Sequence, residues 1–228
     1  MRATAIIPVK RFGRAKQRLL EALDRPARAA IVKAMLRDVL AAASDTRNLD
    51  RLIVVTGEGR AERIALHHAQ RTKMPVEVLR DPRDAGHPQA ATLGIVRAKA
   101  LGGECVVLLP GDCPLLDPQE LDGALERMRP GRVAVIPDRH GTGTNGLVLS
   151  PPDAIGPAFG TGSRDRHVER GRSAGHEVAI EALPSLALDL DTPDDLEALA
   201  AALGDAPERA PATAAELARL KLPGRIGG

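Results

Sequence analysis

Aromatic side chains are nearly missing from this 228-residue chain, which has two phenylalanines, Phe12 and Phe159, and neither tryptophan nor tyrosine. Stacking platforms for single-stranded nucleic acid therefore have no material. A bound purine would have to lie on aliphatic side chains and backbone. Cysteine is as scarce. Cys105 and Cys113 flank one apolar run, and the extended chain between them would hold them about 25 Å apart, too far for a disulfide. A reduced, cytoplasmic protein is the expectation. No apolar run approaches the ~18 residues of a membrane span, and the opening "MRATAIIPVKRFGRAK" is too interrupted for the apolar core of a signal peptide. Charge of one sign is not in excess either. There are 32 basic and 30 acidic residues, a net charge of +2, which argues for neither a nucleic-acid nor a membrane partner. The six histidines lack metal-ligand spacing with a carboxylate beside them, so zinc is not expected. No G-x-S-x-G or Cys–His pairing suggests covalent catalysis.

What the chain does have is 43% hydrophobic residues, enough for one sizeable core. Near-continuous apolar runs predict strands over residues 4–10, 51–57, 76–81, 105–112, 132–139 and 144–150, with a further one in "HEVAIEAL". Helical spacing predicts helices over residues 26–43, in "ERIALHHAQ", and over 88–101, 117–128 and 191–203. The last two open with an acid followed by proline, a helix-start pattern; in the first of them Glu120 stands where a capping box would place it. Strands alternating with helices predict an α/β fold: three layers, α/β/α, with a mostly parallel twisted sheet and helices on both faces. The domain is expected over residues 1–204. Residues 205–228 are rich in Pro and Ala and are expected to be a tail, partly disordered or with a short helix near 213–222.

In such sheets ligands bind at the carboxyl ends of the strands. Four segments fall at strand ends or return loops. After the first strand comes a basic loop carrying Lys10, Arg14, Lys16 and Arg18. It lacks both G-x-G-x-x-G and G-x-x-x-x-G-K, so it would have to surround a triphosphate with cationic side chains. The run "VVLLPGD" ends in Asp112, a carboxylate placed to ligate Mg²⁺, which takes one or two carboxylates plus phosphate oxygens. In "LALDLDTPDDL", Asp189 and Asp191 point to one side of an extended segment about 7 Å apart and repel unless a cation lies between them. Asp191 has a second reading, as N-cap of the helix that begins at Thr192–Pro193. Finally, Gly141–Asn145 and Gly160–Ser163 are small-residue loops that offer amides and hydroxyls to an anion.

Taken in chain order, "IIPVKRFGRAKQRL", "LLPGDCPLL", "PDRHGTGTNGLVL", "FGTGSRDRH" and "LALDLDTPDDLEAL" resemble the guanylyltransferases of coenzyme F-420 biosynthesis. That family is a branch of the nucleotidyltransferase superfamily that includes the molybdenum-cofactor guanylyltransferases. The resemblance spans about residues 4–203. It implies a fold like that of the nucleotide-diphospho-sugar transferases, and transfer of GMP from GTP to a small phosphorylated three-carbon acid with release of pyrophosphate. The acid is phosphoenolpyruvate, 2-phospho-L-lactate or 3-phosphoglycerate; the bacterial-looking composition favours the first. The product would pass to a downstream transferase; a homodimer is left open. Two Mg²⁺ ions are implied, held by Asp112, Asp189 and Asp191, with Lys10 and Asp112 catalytic. Thr144, Gly160 and Ser163 would bind the acid, and Lys10, Lys16, Arg18, Gln89 and Gly111 the nucleotide. Gln89, in "HPQAA", stands where the family usually carries the Asn of a G-L-N-x-A stretch that faces guanine or ribose. Three other classes fit the residues less fully: a nucleotidyltransferase acting on another cofactor or a sugar phosphate, a metal-dependent glycosyltransferase, and a nucleotide-binding regulator without activity.

Overall fold

A computed structural model of the chain describes residues 1–12, 19, 23–81 and 86–220. Seven strands form one sheet: β1 Ala3–Val9, β2 Arg51–Thr56, β3 Val76–Arg80, β4 Cys105–Leu108, β5 Arg132–Pro137, β6 Thr144–Ser150 and β7 Glu177–Ile180. The helices are α1 Arg25–Asp45, α2 Gly59–Ala69, α3 His87–Ala100, α4 Pro118–Glu126, α5 Ser163–Ser173, the single turn α6 Pro184–Ala187, α7 Pro193–Asp205 and α8 Pro211–Leu220. The strand order is β3-β2-β1-β4-β6-β5-β7. Only β6 runs against its neighbours. The expected α/β architecture with a mostly parallel sheet is the one observed.

Apolar side chains leave both faces of the strands, so each face carries its own core. Ile7, Leu52, Val54, Val107 and Val148 pack under α1, α2, α4, α7 and α8. Ile6, Ile53, Val106, Val133 and Leu147 form the core on the other side, under α3 and α5. The approach of α3 is so close that a Cβ on Gly94 would lie 2.3 Å from the Ile6 side chain.

Helix starts follow the sequence grammar with two corrections. Asp24 caps α1 by accepting from the Ala27 N–H at 2.8 Å, and Asp117 caps α4 through the Gln119 N–H at 2.7 Å. Glu120 closes no capping box there; its carboxylate accepts from the Ser185 N–H at 3.0 Å and ties α4 to α6. The cap of α7 is Thr192 and not Asp191. Thr192 and Asp195 form a reciprocal capping box, which satisfies two backbone donors at once and leaves the Asp191 side chain out of the cap. Helix α5 was not anticipated, because "SRDRHVERGRS" has no apolar period. Buried His167 and Gly171, with half-buried Val168 packed on the second core, form its inner face.

The composition shift at Gly204 does not coincide with a loss of packing. Helix α8 lies against α1, and Ala210 and Leu217 join the first core. Buried Asp38 of α1 accepts from the Ala212 N–H (3.1 Å), the Thr213 N–H (2.7 Å) and the Thr213 hydroxyl (2.6 Å). It caps α8 from another helix, where a carboxylate also meets the positive end of the helix dipole. Asp38→Ala leaves these buried donors unpaired, a cost of roughly 2–3 kcal/mol. Thermal denaturation of that variant is expected to show a midpoint about 5–10 °C lower; an unchanged midpoint contradicts this docking. No described helix is long and apolar enough to cross a membrane.

Candidate active site

The chain runs outward from β1 to β2 and β3, then α3 carries it back to β4 on the other side of β1. At this reversal the loops after β1 and β4 diverge and leave a crevice. Lys10 directly follows β1, and Pro110, Gly111 and Asp112 lie beyond β4. Because β6 is antiparallel, with Leu147 opposite Leu108, its first residues, Thr144 and Asn145, emerge at that same edge. The result is a cleft of about 850 Å³. Lys10, Gln89, Gly111, Asp112, Thr144, Gly160, Ser163, Asp189 and Asp191 all line it. Of the residues singled out in the sequence, Arg14, Lys16 and Arg18 lie outside the described residues.

Asp189 and Asp191 reach the cleft on the link between α6 and α7, and three side chains hold that link. The buried Asn145 amide donates to the carbonyls of Leu186 (2.8 Å) and Ala187 (3.2 Å) and to Asp189 Oδ1 (3.2 Å). Asp195 accepts from the backbone N–H groups of Asp191 (2.9 Å) and Thr192 (2.7 Å) and from the Thr192 hydroxyl (2.8 Å). Arg139 pairs with Asp195 at 2.6 Å. Burial acts to raise the Asp195 carboxyl, but these hydrogen bonds and the Arg139 charge outweigh it and hold the group below its ordinary range. Asp195 is therefore a fixed anion that orients the segment. Asp112, Asp189 and Asp191 offer the hard oxygen atoms that Mg²⁺-type cations prefer. Among the described residues no three His, Cys, Asp or Glu side chains cluster tightly enough to hold an ion unaided. A cation here would complete its shell with ligand phosphate and water.

The opposite wall is made of glycines and hydroxyl side chains. Gly160 and Gly162 take left-handed conformations, φ +114° and +68°, which favour glycine and turn the chain into α5. The first N–H groups of this 11-residue helix have no side-chain cap. Ser163 is buried, and its Oγ has no hydrogen-bond partner among the described residues. The Ser163 N–H is spent on the Gly160 carbonyl (3.0 Å) and the Arg164 N–H on the Thr142 carbonyl (3.2 Å), so the buried Ser163 hydroxyl is the unspent donor that this wall has for an oxyanion.

Two histidines border this wall, and sequence reasoning passed over both. His87, in the first turn of α3, stacks edge-on against Phe159 with centroids 4.6 Å apart, and Phe159 stacks likewise on His167 at 5.2 Å. The His87 Nδ1 is enclosed without a hydrogen-bond partner among the described residues. Burial, aided by the Lys10 charge, pushes His87 down to about 4. Burial, aided by Arg170 and Arg166, does the same to His167, also to about 4. No spacing in the sequence marks these rings. Asn145, read in the sequence as part of a loop offering its polar groups to an anion, lies in β6 and gives its amide to the link before α7.

A histidine buried neutral binds fewer protons folded than unfolded between about pH 4 and its ordinary 6.5, so its stabilising share is complete above 6.5 and lost as pH falls toward 4. For fully buried His167 the loss at pH 5 is on the order of 2 kcal/mol. Denaturant unfolding at pH 7 and pH 5 is expected to show this loss, reduced in His167→Gln. Equal slopes in the two chains contradict a buried neutral ring.

Comparison with known proteins places these features in a family. The family model described as "Guanylyl transferase CofC like" matches residues 3–205. The chain is 44% identical over 201 residues to the phosphoenolpyruvate guanylyltransferase of Conexibacter woesei, covering 87% of each chain. In structure it is similar to a Desulfovibrio desulfuricans G20 protein described as a nucleotide-diphospho-sugar transferase (TM-score 0.75, 19% identity, 96% of this chain and 95% of that one). It is also similar to Rv0371c of Mycobacterium tuberculosis H37Rv, solved in complex with manganese (TM-score 0.52, 23% identity, 87% and 97%). With most of its length inside the matched region, this chain belongs to the CofC-like guanylyl transferase family and is an enzyme of the nucleotidyltransferase class.

Proposed function

We propose that the chain transfers GMP from GTP to phosphoenolpyruvate, releases pyrophosphate, and so makes the guanylated acid that a downstream transferase uses in coenzyme F-420 biosynthesis. One observation carries the reading. Carboxylates from two distant segments, Asp112 and Asp189/Asp191, face the same cleft as Lys10 and a wall of glycines and hydroxyl side chains. The choice of phosphoenolpyruvate is supported by relatives of that name at 44% and 35% identity.

A phosphate oxygen of the acid forms the new bond to the α-phosphorus of GTP. The bond from that phosphorus to the oxygen bridging it to the β-phosphorus breaks, and pyrophosphate leaves with the electron pair. The attacking phosphate is largely deprotonated at neutral pH, so no general base is required. The neutral His87 and His167 fit a site without one. The barrier is electrostatic, since two polyanions must meet in line. Lys10 offsets the triphosphate charge, Gly111 and Gln89 border the nucleotide, and Thr144, Gly160 and Ser163 hold the acid's oxyanions. Asp112, Asp189 and Asp191 would hold Mg²⁺, two ions in this reading, which when bound neutralises phosphate charge and stabilises the charge that develops on the leaving group.

Pyrophosphate release is to be measured with GTP, CTP or UTP against phosphoenolpyruvate, 2-phospho-L-lactate and 3-phosphoglycerate, and the products weighed by mass spectrometry. GTP with phosphoenolpyruvate is expected to be the best pair. Asp112→Asn and Asp189→Asn are each expected to lower turnover about 100-fold or more while the fold persists. Near-normal Mg²⁺-dependent turnover in both would remove the metal assignment. GTP binding without pyrophosphate release would leave a regulator.

A further inference from the structure

His167 is fully buried on the inner face of α5, and both of its ring nitrogens are engaged. The backbone N–H of Ala158 meets Nε2 at 2.8 Å, and the Thr144 hydroxyl meets Nδ1 at 3.0 Å. A backbone N–H can only donate, so the nitrogen it meets must present a lone pair. Nε2 is therefore bare. A neutral imidazole carries its proton on the other nitrogen, so Nδ1–H donates to Thr144 Oγ1. The Thr144 hydroxyl spends a lone pair on His167 and keeps its own proton. Among the described residues that oxygen makes no second hydrogen bond, and Thr144 lines the cleft.

We propose that His167 is a positioning residue that fixes the Thr144 hydroxyl as a hydrogen-bond donor into the cleft, so that this subsite accepts an oxyanion of the acceptor acid. The inference rests on the proposed reading of Thr144 as a contact to the acid. The same ring anchors the loop before α5 through Ala158, whose carbonyl accepts from Arg166 at 2.9 Å. Phe159 packs edge-on against the ring from the cleft side and closes its pocket. The buried Ser163 hydroxyl on the next turn of chain supplies a second donor to the same oxyanion.

Two measurements test this on the full chain. In wild-type protein labelled with ¹⁵N-histidine, NMR is expected to show His167 protonated at Nδ1 and bare at Nε2 near pH 7; the opposite tautomer or a charged ring overturns the inference whatever the substrate. In pyrophosphate-release kinetics with GTP and phosphoenolpyruvate, Thr144→Val and His167→Gln are each expected to raise KM for the acid about tenfold, the scale for one hydrogen bond to a charged group. KM for GTP is expected to stay within about twofold, since the His167–Thr144 pair faces the acid. The Gln oxygen reaches the Nε2 position and keeps Ala158 satisfied but cannot orient Thr144. His167→Asn places an amide N–H near the Nδ1 position and is expected to recover most of the acid affinity. Adding His167→Gln to Thr144→Val is expected to change KM by less than about twofold more, because one interaction cannot be lost twice. Losses that multiply, or that fall equally on GTP, make His167 merely structural and overturn the proposal. If the wild-type chain guanylates no three-carbon phospho-acid, the proposed function fails, and the tautomer measurement still decides what His167 does.

Discussion

The antiparallel ladder between β4 and β6 is the constraint on which the cleft depends. A purely parallel sheet would deliver only strand ends to its carboxyl edge. Here β6 enters between β4 and β5, with Val106 opposite Leu149 and Leu108 opposite Leu147, and so brings a strand beginning to that edge. Thr144 and Asn145 stand beside the exit of β4 for this reason, lining one cleft with Asp112, and Asn145 bonds the segment carrying Asp189 and Asp191. A slip of one residue in this ladder would exchange the faces of every β6 side chain and take the Asn145 amide away from Leu186, Ala187 and Asp189.

Around that edge, polar groups are fixed by hydrogen bonds and ion pairs within the chain. Asp195 is an anion held by Thr192, Asp191 and Arg139. His167 is held neutral by burial and its tautomer set by the Ala158 N–H. Such arrangements matter because a polar group that must reorient when substrate binds loses free energy in doing so, whereas one already aimed does not. The two walls of the cleft differ accordingly: carboxylates backed by an amide and an arginine on one side, glycine amides and hydroxyls backed by a neutral imidazole on the other. A cleft with these walls suits a transfer between anions, and it belongs to a chain of the guanylyl transferase family.

Much of this was legible before folding. Apolar runs located the seven strands within a residue or a few at each end; the central strands, buried on both faces, leave an unbroken hydrophobic trace, whereas the edge strands β3 and β7 are only partly buried. Asp112 and Asp189 stood out as carboxylates that secondary structure did not require, Asp191 as one with a capping reading beside the metal one, and the glycine-rich stretches at 141–145 and 160–163 as loops with little side-chain bulk. Where the sequence offered competing signals the reading failed. Asp191 and Thr192 are both good caps, and the reciprocal bond with Asp195 chose Thr192. Helix α5 left no apolar period to detect, since a helix lying on the sheet through a histidine, a valine and a glycine looks like a polar loop.

The amino-acid sequence by itself determined the α/β class, the parallel character of most of the sheet, and which side chains were chemically available at strand ends; each of these follows from periods of two to four residues along the chain. Only the tertiary structure decided that Asp112 and Asp189 share a cleft, that Asn145 grips the link between α6 and α7, that α8 is capped by Asp38, and that His167 aims Thr144. Those contacts join residues 23 to 175 positions apart. Their geometry is set by strand order and register, which no local pattern of residues encodes.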